Sequence, residues 1–138
     1  MHPLQGGCLC GKVRYQLKAM PQTVAICHCL HCQRASGSAF SVNLLLEQGQ
    51  YEQHGKTRVF VDKGDSGLPS HRHFCADCGS PVMTRAGNLP GMVLVKAGTL
   101  DPAQRDGLLP QLEIYTDSAW QWHAPVAGCA RFPGAPQP

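Results

Sequence analysis

The sequence predicts a mainly β domain of short strands with very little helix. Apolar residues occur in short alternating runs, which are typical of half-buried strands. Turns separate these runs, because the 138 residues include 15 glycines and 11 prolines, which also disfavour long helices. A chain of this length fits one domain, which we place at residues 1–130. The segment 131–138 has little apolar content and is predicted to be a frayed tail.

Strands and extended segments are assigned from alternation, β-branched residues and flanking turns. The first is well marked, because Val13, Tyr15 and Leu17 alternate with polar residues. The run 38–46 is the longest apolar stretch, and we expect it to form a central strand. The predicted segments are 12–17, 24–26, 38–46, 57–61, 71–74, 81–84, 92–97 and 112–115.

Helix is predicted at two places only. Residues 33–36 are expected to form one helical turn that ends at Gly37. Asp101 followed by Pro102 is typical of a helix start, with an N-cap and then proline at the first helical position. Residues 47–55 are polar and are predicted to be turn-like.

Seven of the eight cysteines fall into three tight clusters. The segment Cys27-His28-Cys29-Leu30-His31-Cys32 has three cysteines and two histidines within six consecutive residues. Two short-spaced pairs flank it, Cys8 with Cys10 and Cys75 with Cys78, and a glycine follows each pair. Glycine there lets the chain turn without a Cβ clash. Because cysteine and histidine are zinc's usual ligands, the clusters predict metal sites.

The number of ligands predicts two kinds of site. Two pairs of cysteines supply the four ligands of a closed structural zinc, whereas three thiolates leave a fourth position open, as in catalytic zinc sites. The spacing does not say which clusters share an ion. One closed site made from four of the seven cysteines, with three free thiols, is also arithmetically possible. Cys129 is left over, and we interpret it as a buried apolar residue.

Other cysteine chemistry fits the sequence less well. Disulfides within the clusters would close very tight rings, and no basic region followed by an apolar run indicates secretion. We therefore expect a cytoplasmic protein with reduced thiols. Thioredoxin-like redox chemistry at Cys75-Ala76-Asp77-Cys78 would require a βαβ context, which the pattern lacks. A c-type haem motif would require histidine after Cys32, where the chain has Gln33.

The charge balance does not point to a nucleic acid or a membrane. The formal net charge of +3 counts every cysteine as neutral. Seven thiolates and two zinc ions would bring it to zero, and the sequence has no basic run, so we expect no nucleic-acid partner. No apolar run approaches the roughly 20 residues of a membrane-spanning helix, so we expect no membrane partner.

The histidines between the cysteines and the two tryptophans are predicted to have supporting rather than metal-binding roles. His28 and His31 lie between the central cysteines, where supporting or solvent-facing roles are more typical than ligation. Trp120 and Trp122 are expected to pack against the sheet. We hypothesise that Cys27, Cys29 and Cys32 hold the zinc at which the chemistry occurs, and that no other side chain is indispensable.

Three motifs together resemble the family of glutathione-dependent formaldehyde-activating enzymes, which includes the centromere protein V type domain. The motifs are Gly6-Gly7-Cys8-Leu9-Cys10-Gly11-Lys12-Val13-Arg14-Tyr15, then 27–37, which starts with Cys27-His28-Cys29-Leu30-His31-Cys32, then Phe74-Cys75-Ala76-Asp77-Cys78-Gly79-Ser80. They occur in the family's order, with matching spacing inside each cluster. A weaker similarity lies over 111–122, where the family carries a strand followed by tryptophan. The resemblance covers roughly residues 5–125.

The resemblance implies an Mss4-like zinc-binding fold of short antiparallel strands and two zinc ions per chain. It implies that Cys8, Cys10, Cys75 and Cys78 hold a structural zinc. It also implies that Cys27, Cys29 and Cys32 hold a catalytic zinc, at which formaldehyde is joined to glutathione. The chain has no distinct extra segment for gripping glutathione, so its substrate is open within small thiols and thiol adducts.

Three functional hypotheses follow. The first is a zinc-dependent carbon–sulfur lyase acting on a small thiol–aldehyde adduct such as S-hydroxymethylglutathione. The second is a zinc-stabilised binding domain without turnover. The third is a thiol-based redox or metal-buffering protein. The sequence carries no prediction of the oligomeric state.

Overall fold

A computed structural model describes residues 4–64 and 66–136, and it confirms the mainly β prediction. The described part has eleven strands and one α-helix. The strands are β1 Leu4–Gly7, β2 Arg14–Leu17, β3 Thr23–Cys27, β4 Ser41–Glu47, β5 Tyr51–His54, β6 Thr57–Lys63, β7 Pro69–Cys75, β8 Pro81–Ala86, β9 Met92–Lys96, β10 Leu112–Ile114 and β11 Ala130–Arg131. The helix α1 spans Leu30–Ser36, and short 3-10 turns span Gln48–Gln50, Ala97–Thr99, Pro102–Gly107 and Thr116–Ser118.

The strands form two sheets. The smaller has the order β1-β2-β5, and the larger has the order β11-β10-β3-β4-β9-β8-β7-β6. Most neighbours pair antiparallel, as predicted. The pairs that β10 makes with β3 and β11 are parallel instead, because the long connection after β9 returns β10 beside β3 in the same direction.

The sequence prediction missed the short strand β11 and both outer strands of the smaller sheet, β5 and β1. The strand β5 lies within 47–55, which was predicted to be turn-like because its residues are polar. It nevertheless pairs with β2, and the rings of Tyr15 and Tyr51 lie 5.4 Å apart. The strand β1 contains two glycines, which weaken the local strand signal. Both strands depend on pairing with β2, which is a contact that alternation alone does not encode.

One apolar core joins the two sheets. Leu17 of β2 is buried in the same cluster as Leu44, Val82 and Val95 of the larger sheet. Burying each such side chain stabilises the fold by roughly 1.5–3 kcal/mol. The core therefore holds the turn between β1 and β2 against the larger sheet, which matters for the cysteines in that turn.

The predicted helix start at Asp101 differs in detail from the structure. Pro102–Gly107 form a 3-10 turn, and the Asp101 side chain makes no capping hydrogen bond. Its carboxylate instead accepts a hydrogen bond from Arg14 Nη1 over 3.0 Å. The cap prediction fails because a long-range ion pair competes for the carboxylate.

The C-terminal segment runs alongside β10. Backbone carbonyls of Phe132, Pro133 and Gly134 accept hydrogen bonds from the amides of residues 115–117. This part of the segment predicted to fray is thus hydrogen bonded, while residues 137 and 138 lie outside the described residues. The single domain over 1–130 stays a prediction. No helix among the described residues combines the length and apolar character needed to cross a bilayer.

Candidate metal centres

Four cysteines from opposite ends of the sequence meet in one cluster. Cys8 and Cys10 lie in the turn between β1 and β2, and Cys75 and Cys78 lie in the turn between β7 and β8. The Sγ atoms of Cys8 and Cys10 lie 3.6 Å apart, and those of Cys10 and Cys75 lie 3.7 Å apart. All four ligand atoms lie within 4.8 Å of one another.

These separations fit a tetrahedral metal site. Four sulfurs, each about 2.3 Å from a central zinc, would lie about 3.8 Å from one another. A disulfide requires sulfurs only about 2.0 Å apart, and all eight cysteines are free. The disulfide alternative is therefore wrong for the structure, and the first and third clusters form a candidate metal centre together.

Hydrogen-bond donors lie close to the sulfurs of this four-cysteine cluster. At Cys10 a backbone hydrogen bond from Lys12 lowers the pKa, but burial and the three neighbouring sulfurs raise it to about 12. The backbone amide of Val13 donates to Cys8 Sγ over 3.2 Å, and that of Asp77 donates to Cys75 Sγ over 3.4 Å. Hydrogen bonds from the side chain and backbone of Ser80 lower the pKa of Cys78 to about 5. Thiolates are the form that binds metals, so the lowered pKa values of Cys8 and Cys78 favour metal binding at this cluster.

The other three cysteines form a separate cluster at the start of α1. Cys27 ends β3, Cys29 is the N-cap of α1, and Cys32 lies in its first turn. The Cys29 sulfur accepts a hydrogen bond from the Cys32 amide over 3.2 Å. The helix starts earlier than the predicted turn and ends at Gly37, which has a left-handed φ of 65° that glycine favours.

This three-cysteine cluster has the donor set of an open metal site. Its three sulfurs lie within 4.8 Å of one another, and no fourth ligand belongs to the group among the described residues. Hydrogen bonds from Cys27 and Cys29 lower the pKa of Cys32, with further lowering from Ser41 and the charge of Lys96. Hydrogen bonds with Cys29 and Cys32, together with burial, raise the pKa of Cys27.

A cavity of about 550 Å³ adjoins the three-cysteine cluster, because Cys32 lies in its wall. The lining combines apolar and aromatic side chains with a similar number of polar ones. It includes Phe40, Phe60, Phe74, Arg72, Thr84 and Lys96. No aspartate or glutamate is among the lining residues that the structure describes. The cavity is large enough for a small organic molecule.

Lys96 gives the cavity wall a positive charge. Its Nζ donates to Asn43 Oδ1 over 2.7 Å, and it forms no ion pair among the described residues. Burial and the charge of Arg72 lower the pKa of Lys96, whereas nearby Cys32 raises it. Unlike Lys96, Arg72 forms an ion pair, because its Nε donates to the carboxylate of Asp62 over 3.0 Å. Lys96 was missed by the sequence analysis, since nothing in its local sequence relates it to the cysteines.

The sequence matches the family described as glutathione-dependent formaldehyde-activating enzyme over residues 3–118. The chain belongs to this family. The predicted resemblance is therefore confirmed, and the match includes all seven clustered cysteines. No curated protein matches the sequence.

Among solved structures, the fold is similar to a crystal structure of a Rhodobacter sphaeroides protein, a Northeast Structural Genomics target. The two align with a TM-score of 0.59, covering 77% of this chain and 96% of that one, at 17% sequence identity. A likeness at this identity concerns the fold alone. It supports the sheet arrangement that brings the cysteine clusters together in this family member.

His28 lies beside the metal-binding cysteines of this family member but points into a separate buried network. It is fully buried, and its Nε2 lies 2.8 Å from Glu113 Oε1. His123 Nε2 lies 2.6 Å from the same oxygen. Glu113 Oε2 accepts hydrogen bonds from the Val126 amide and from Arg131 Nη1.

The network of His28, Glu113 and His123 also has the composition of a metal site, because its ligand atoms lie within 4.8 Å of one another. The short nitrogen–oxygen distances are those of hydrogen bonds, and Arg131 already supplies a positive charge. We interpret it as a support that fixes His28, and hence the chain between Cys27 and Cys29. Glu113 and His123 were missed, although Glu113 lies within the weakly similar segment 111–122 and His123 directly follows it.

The remaining predicted side chains lie outside the clusters. His31 Nδ1 lies 2.8 Å from Asp62 Oδ2, so it contacts a carboxylate. Trp120 and Trp122 are 50% and 66% exposed, and their ring centroids lie 5.9 Å apart. Their predicted packing against the sheet is therefore wrong, because the rings contact each other. Cys129 is only partly buried.

Proposed function

We propose that this protein is a zinc-dependent carbon–sulfur lyase acting on a small thiol–aldehyde adduct such as S-hydroxymethylglutathione. The observation that carries the proposal is that Cys32 belongs both to the three-cysteine cluster and to the wall of the cavity. A metal with an open position would thereby face a space that can hold an organic substrate.

The proposal assigns two zinc ions to each chain. Cys8, Cys10, Cys75 and Cys78 would hold a structural ion, since four sulfurs leave no position for a substrate. Cys27, Cys29 and Cys32 would hold the catalytic ion. Zinc bound there supplies a site at which a thiol becomes more acidic and therefore more nucleophilic at neutral pH.

The chemistry is a reversible addition. In the forward direction a carbon–sulfur bond forms, the sulfur gives up its proton, and the carbonyl oxygen becomes a hydroxyl by gaining one. Negative charge develops on that oxygen before the proton arrives. Lys96 is the cavity's cation without a carboxylate partner among the described residues, so it suits the role of hydrogen-bond donor to this oxygen.

A second polar group of the cavity supports substrate binding. Thr84 is 4% exposed, and its hydroxyl has no hydrogen-bond partner within the described structure. A buried hydroxyl without a partner costs free energy, which a polar substrate group would recover. Glutathione carries carboxylates, which the charges of Lys96 and Arg72 favour over a cationic thiol. We place the reaction in the cytoplasm, where small thiols stay reduced.

The decisive experiment is exchange-resolved NMR on glutathione and formaldehyde with and without the protein. These reagents combine spontaneously, so the readout is the exchange rate above that background. We expect acceleration by the wild-type protein and by the matched control Cys129→Ser, whose cysteine lies outside both clusters. Cys29→Ser should keep the fold, lose about one zinc per chain and lose the acceleration.

Three results would contradict this assignment. Unchanged zinc content in Cys29→Ser would exclude the open site. Two zinc ions per chain without acceleration, with this and other small thiols, would favour the alternative of a zinc-stabilised binding domain. Rapid modification of the clustered thiols in the zinc-loaded protein would instead favour the redox or metal-buffering alternative.

A further inference from the structure

The strand β6, Thr57–Lys63, ends the larger sheet. It pairs with β7 on one side only, so its other edge has no strand partner within the described structure. An exposed strand edge carries unpaired backbone donors and acceptors that can pair with another chain. Proteins usually block such edges with proline, bulges or charged residues in the strand.

The centre of β6 has none of these protections. Val59, Phe60 and Val61 follow one another and are 43%, 60% and 55% exposed. The charged residues lie toward the ends of the strand, and the pairing of β6 with β7 is regular from Thr57 to Lys63. Exposed apolar residues at the centre of an unpaired strand edge make that edge a candidate for pairing with another strand.

The sequence of β6 is complementary to itself in the antiparallel direction. When two copies are aligned with Phe60 opposite Phe60, Val59 lies opposite Val61 of the second copy. Arg58 then lies opposite Asp62 of the second copy, and the pair occurs twice by symmetry. Directly opposite side chains in an antiparallel pair are neighbours, and opposite charges there are favourable.

The ion pairs of the single chain leave this pairing available. Arg58 is exposed and forms no ion pair among the described residues. The Asp62 carboxylate contacts His31 Nδ1 and accepts a hydrogen bond from Arg72 Nε, so both side chains already hold it in place. A carboxylate can accept several hydrogen bonds, so a further contact with Arg58 of a second copy is compatible with these.

We propose that the protein forms a symmetric homodimer in which two β6 strands pair antiparallel about Phe60. The two eight-stranded sheets then form one continuous sheet. A two-fold axis perpendicular to the sheet keeps equivalent faces together. Because Phe60 also lines the cavity, the two cavities open on the same face, with Phe60 of the second copy beside the rim.

Light scattering after size exclusion tests this, on zinc-loaded protein over a range from about 1 µM to about 1 mM. We expect a monomer–dimer equilibrium. Phe60→Lys places two positive charges opposite each other and should weaken the dimer by about tenfold or more. The matched control Leu109→Lys changes a residue that is 72% exposed elsewhere, and it should have no effect on the dimer.

Two further measurements test the proposal independently of whether Phe60→Lys folds. Arg58→Glu should weaken the dimer and Arg58→Lys should retain it, whereas the exposed control Arg105→Glu should behave as wild type. Amide exchange over 57–63 should slow as the protein concentration rises, while exchange at β11 should not change. Monomers at every concentration, open-ended polymers, or a dimer unaffected by both Phe60→Lys and Arg58→Glu would each overturn the proposal.

Discussion

Glu113 is a fully buried carboxylate, so its desolvation must be offset by hydrogen bonds. Its side chain is fully buried, yet it carries a charge that four hydrogen bonds satisfy, from two histidines, one backbone amide and Arg131. Burial raises the pKa of Glu113, but the hydrogen bonds from His28, Val126 and His123 and the charge of Arg131 lower it to about 2. The carboxylate is therefore the stable form inside the fold.

Replacing this carboxylate should destabilise the protein. We expect Glu113→Gln to lower the unfolding free energy at pH 7 by about 2–4 kcal/mol, because an amide leaves buried donors and Arg131 poorly matched. The exposed control Glu47→Gln should change it little. Denaturant unfolding of the zinc-loaded proteins measures the difference, and equal stability of Glu113→Gln and wild type would contradict the network's role.

The pH dependence follows from the lowered pKa of Glu113. The ordinary glutamate pKa is 4.5 and the value in the fold is about 2, so the stabilisation is complete above about pH 4.5. This stabilisation is lost as the pH falls through about 2, below which Glu113 is protonated in both the folded and the unfolded protein. The stability gap between wild type and Glu113→Gln should therefore narrow over this range, and a constant gap would exclude the carboxylate charge as its cause.

Lys96 should act on metal binding as well as on substrate. Its charge lowers the pKa of Cys32, so Lys96→Met should weaken zinc binding at the three-cysteine site by about tenfold. Lys96→Arg should retain most of the affinity, and exposed Lys56→Met is the matched control. Competition with a chromophoric chelator gives the affinity of each site. Equal affinity in Lys96→Met and wild type would restrict Lys96 to substrate contacts.

At the scale of elements, the glycine before the first cysteine pair allows close packing. A Cβ on Gly6 would overlap the Thr99 carbonyl oxygen and the Tyr15 hydroxyl. The Tyr15 hydroxyl is also hydrogen bonded to the Thr99 hydroxyl over 2.6 Å. The strand β1 can therefore lie against the turn after β9 only if residue 6 lacks a side chain.

This packing predicts a specific cost. Gly6→Ala should lower the unfolding free energy by about 1–3 kcal/mol, as expected for overpacking against atoms that cannot move freely. Gly49→Ala is the matched control, because a Cβ there meets no atom within 4 Å. Thermal unfolding of the two variants should separate them clearly. Similar melting temperatures would show that β1 shifts to accept the methyl group.

At the scale of the whole molecule, the four-cysteine cluster connects the two sheets. Cys10 approaches Cys75 although 65 positions separate them. A metal there would cross-link the β1–β2 turn to the β7–β8 turn, and its binding free energy would add to folding. Without a metal, the apolar core, the Arg14–Asp101 ion pair and the Tyr15–Thr99 hydrogen bond must hold the smaller sheet in place.

Removing one ligand should therefore affect the entire fold. We expect Cys75→Ser to be unfolded or aggregated at 25 °C, whereas Cys129→Ser should stay folded with two zinc ions. Circular dichroism together with zinc analysis distinguishes the variants. A soluble, fully folded Cys75→Ser protein lacking one zinc would exclude a structural role for this cluster.

The sequence by itself determined the fold class, most strands and the candidate metal-ligating cysteines, because alternation and cysteine spacing are local patterns. It left open which clusters share an ion, and the family resemblance rather than spacing supplied that pairing. Only the tertiary structure decided the remaining features: β5, the cavity, Lys96 beside the cysteines, and the buried pair of His28 and Glu113. The partners of that pair are 85 positions apart, and those of Lys96 and Asn43 are 53 apart. Contacts over such separations arise from sheet pairing and packing, so no local pattern records them.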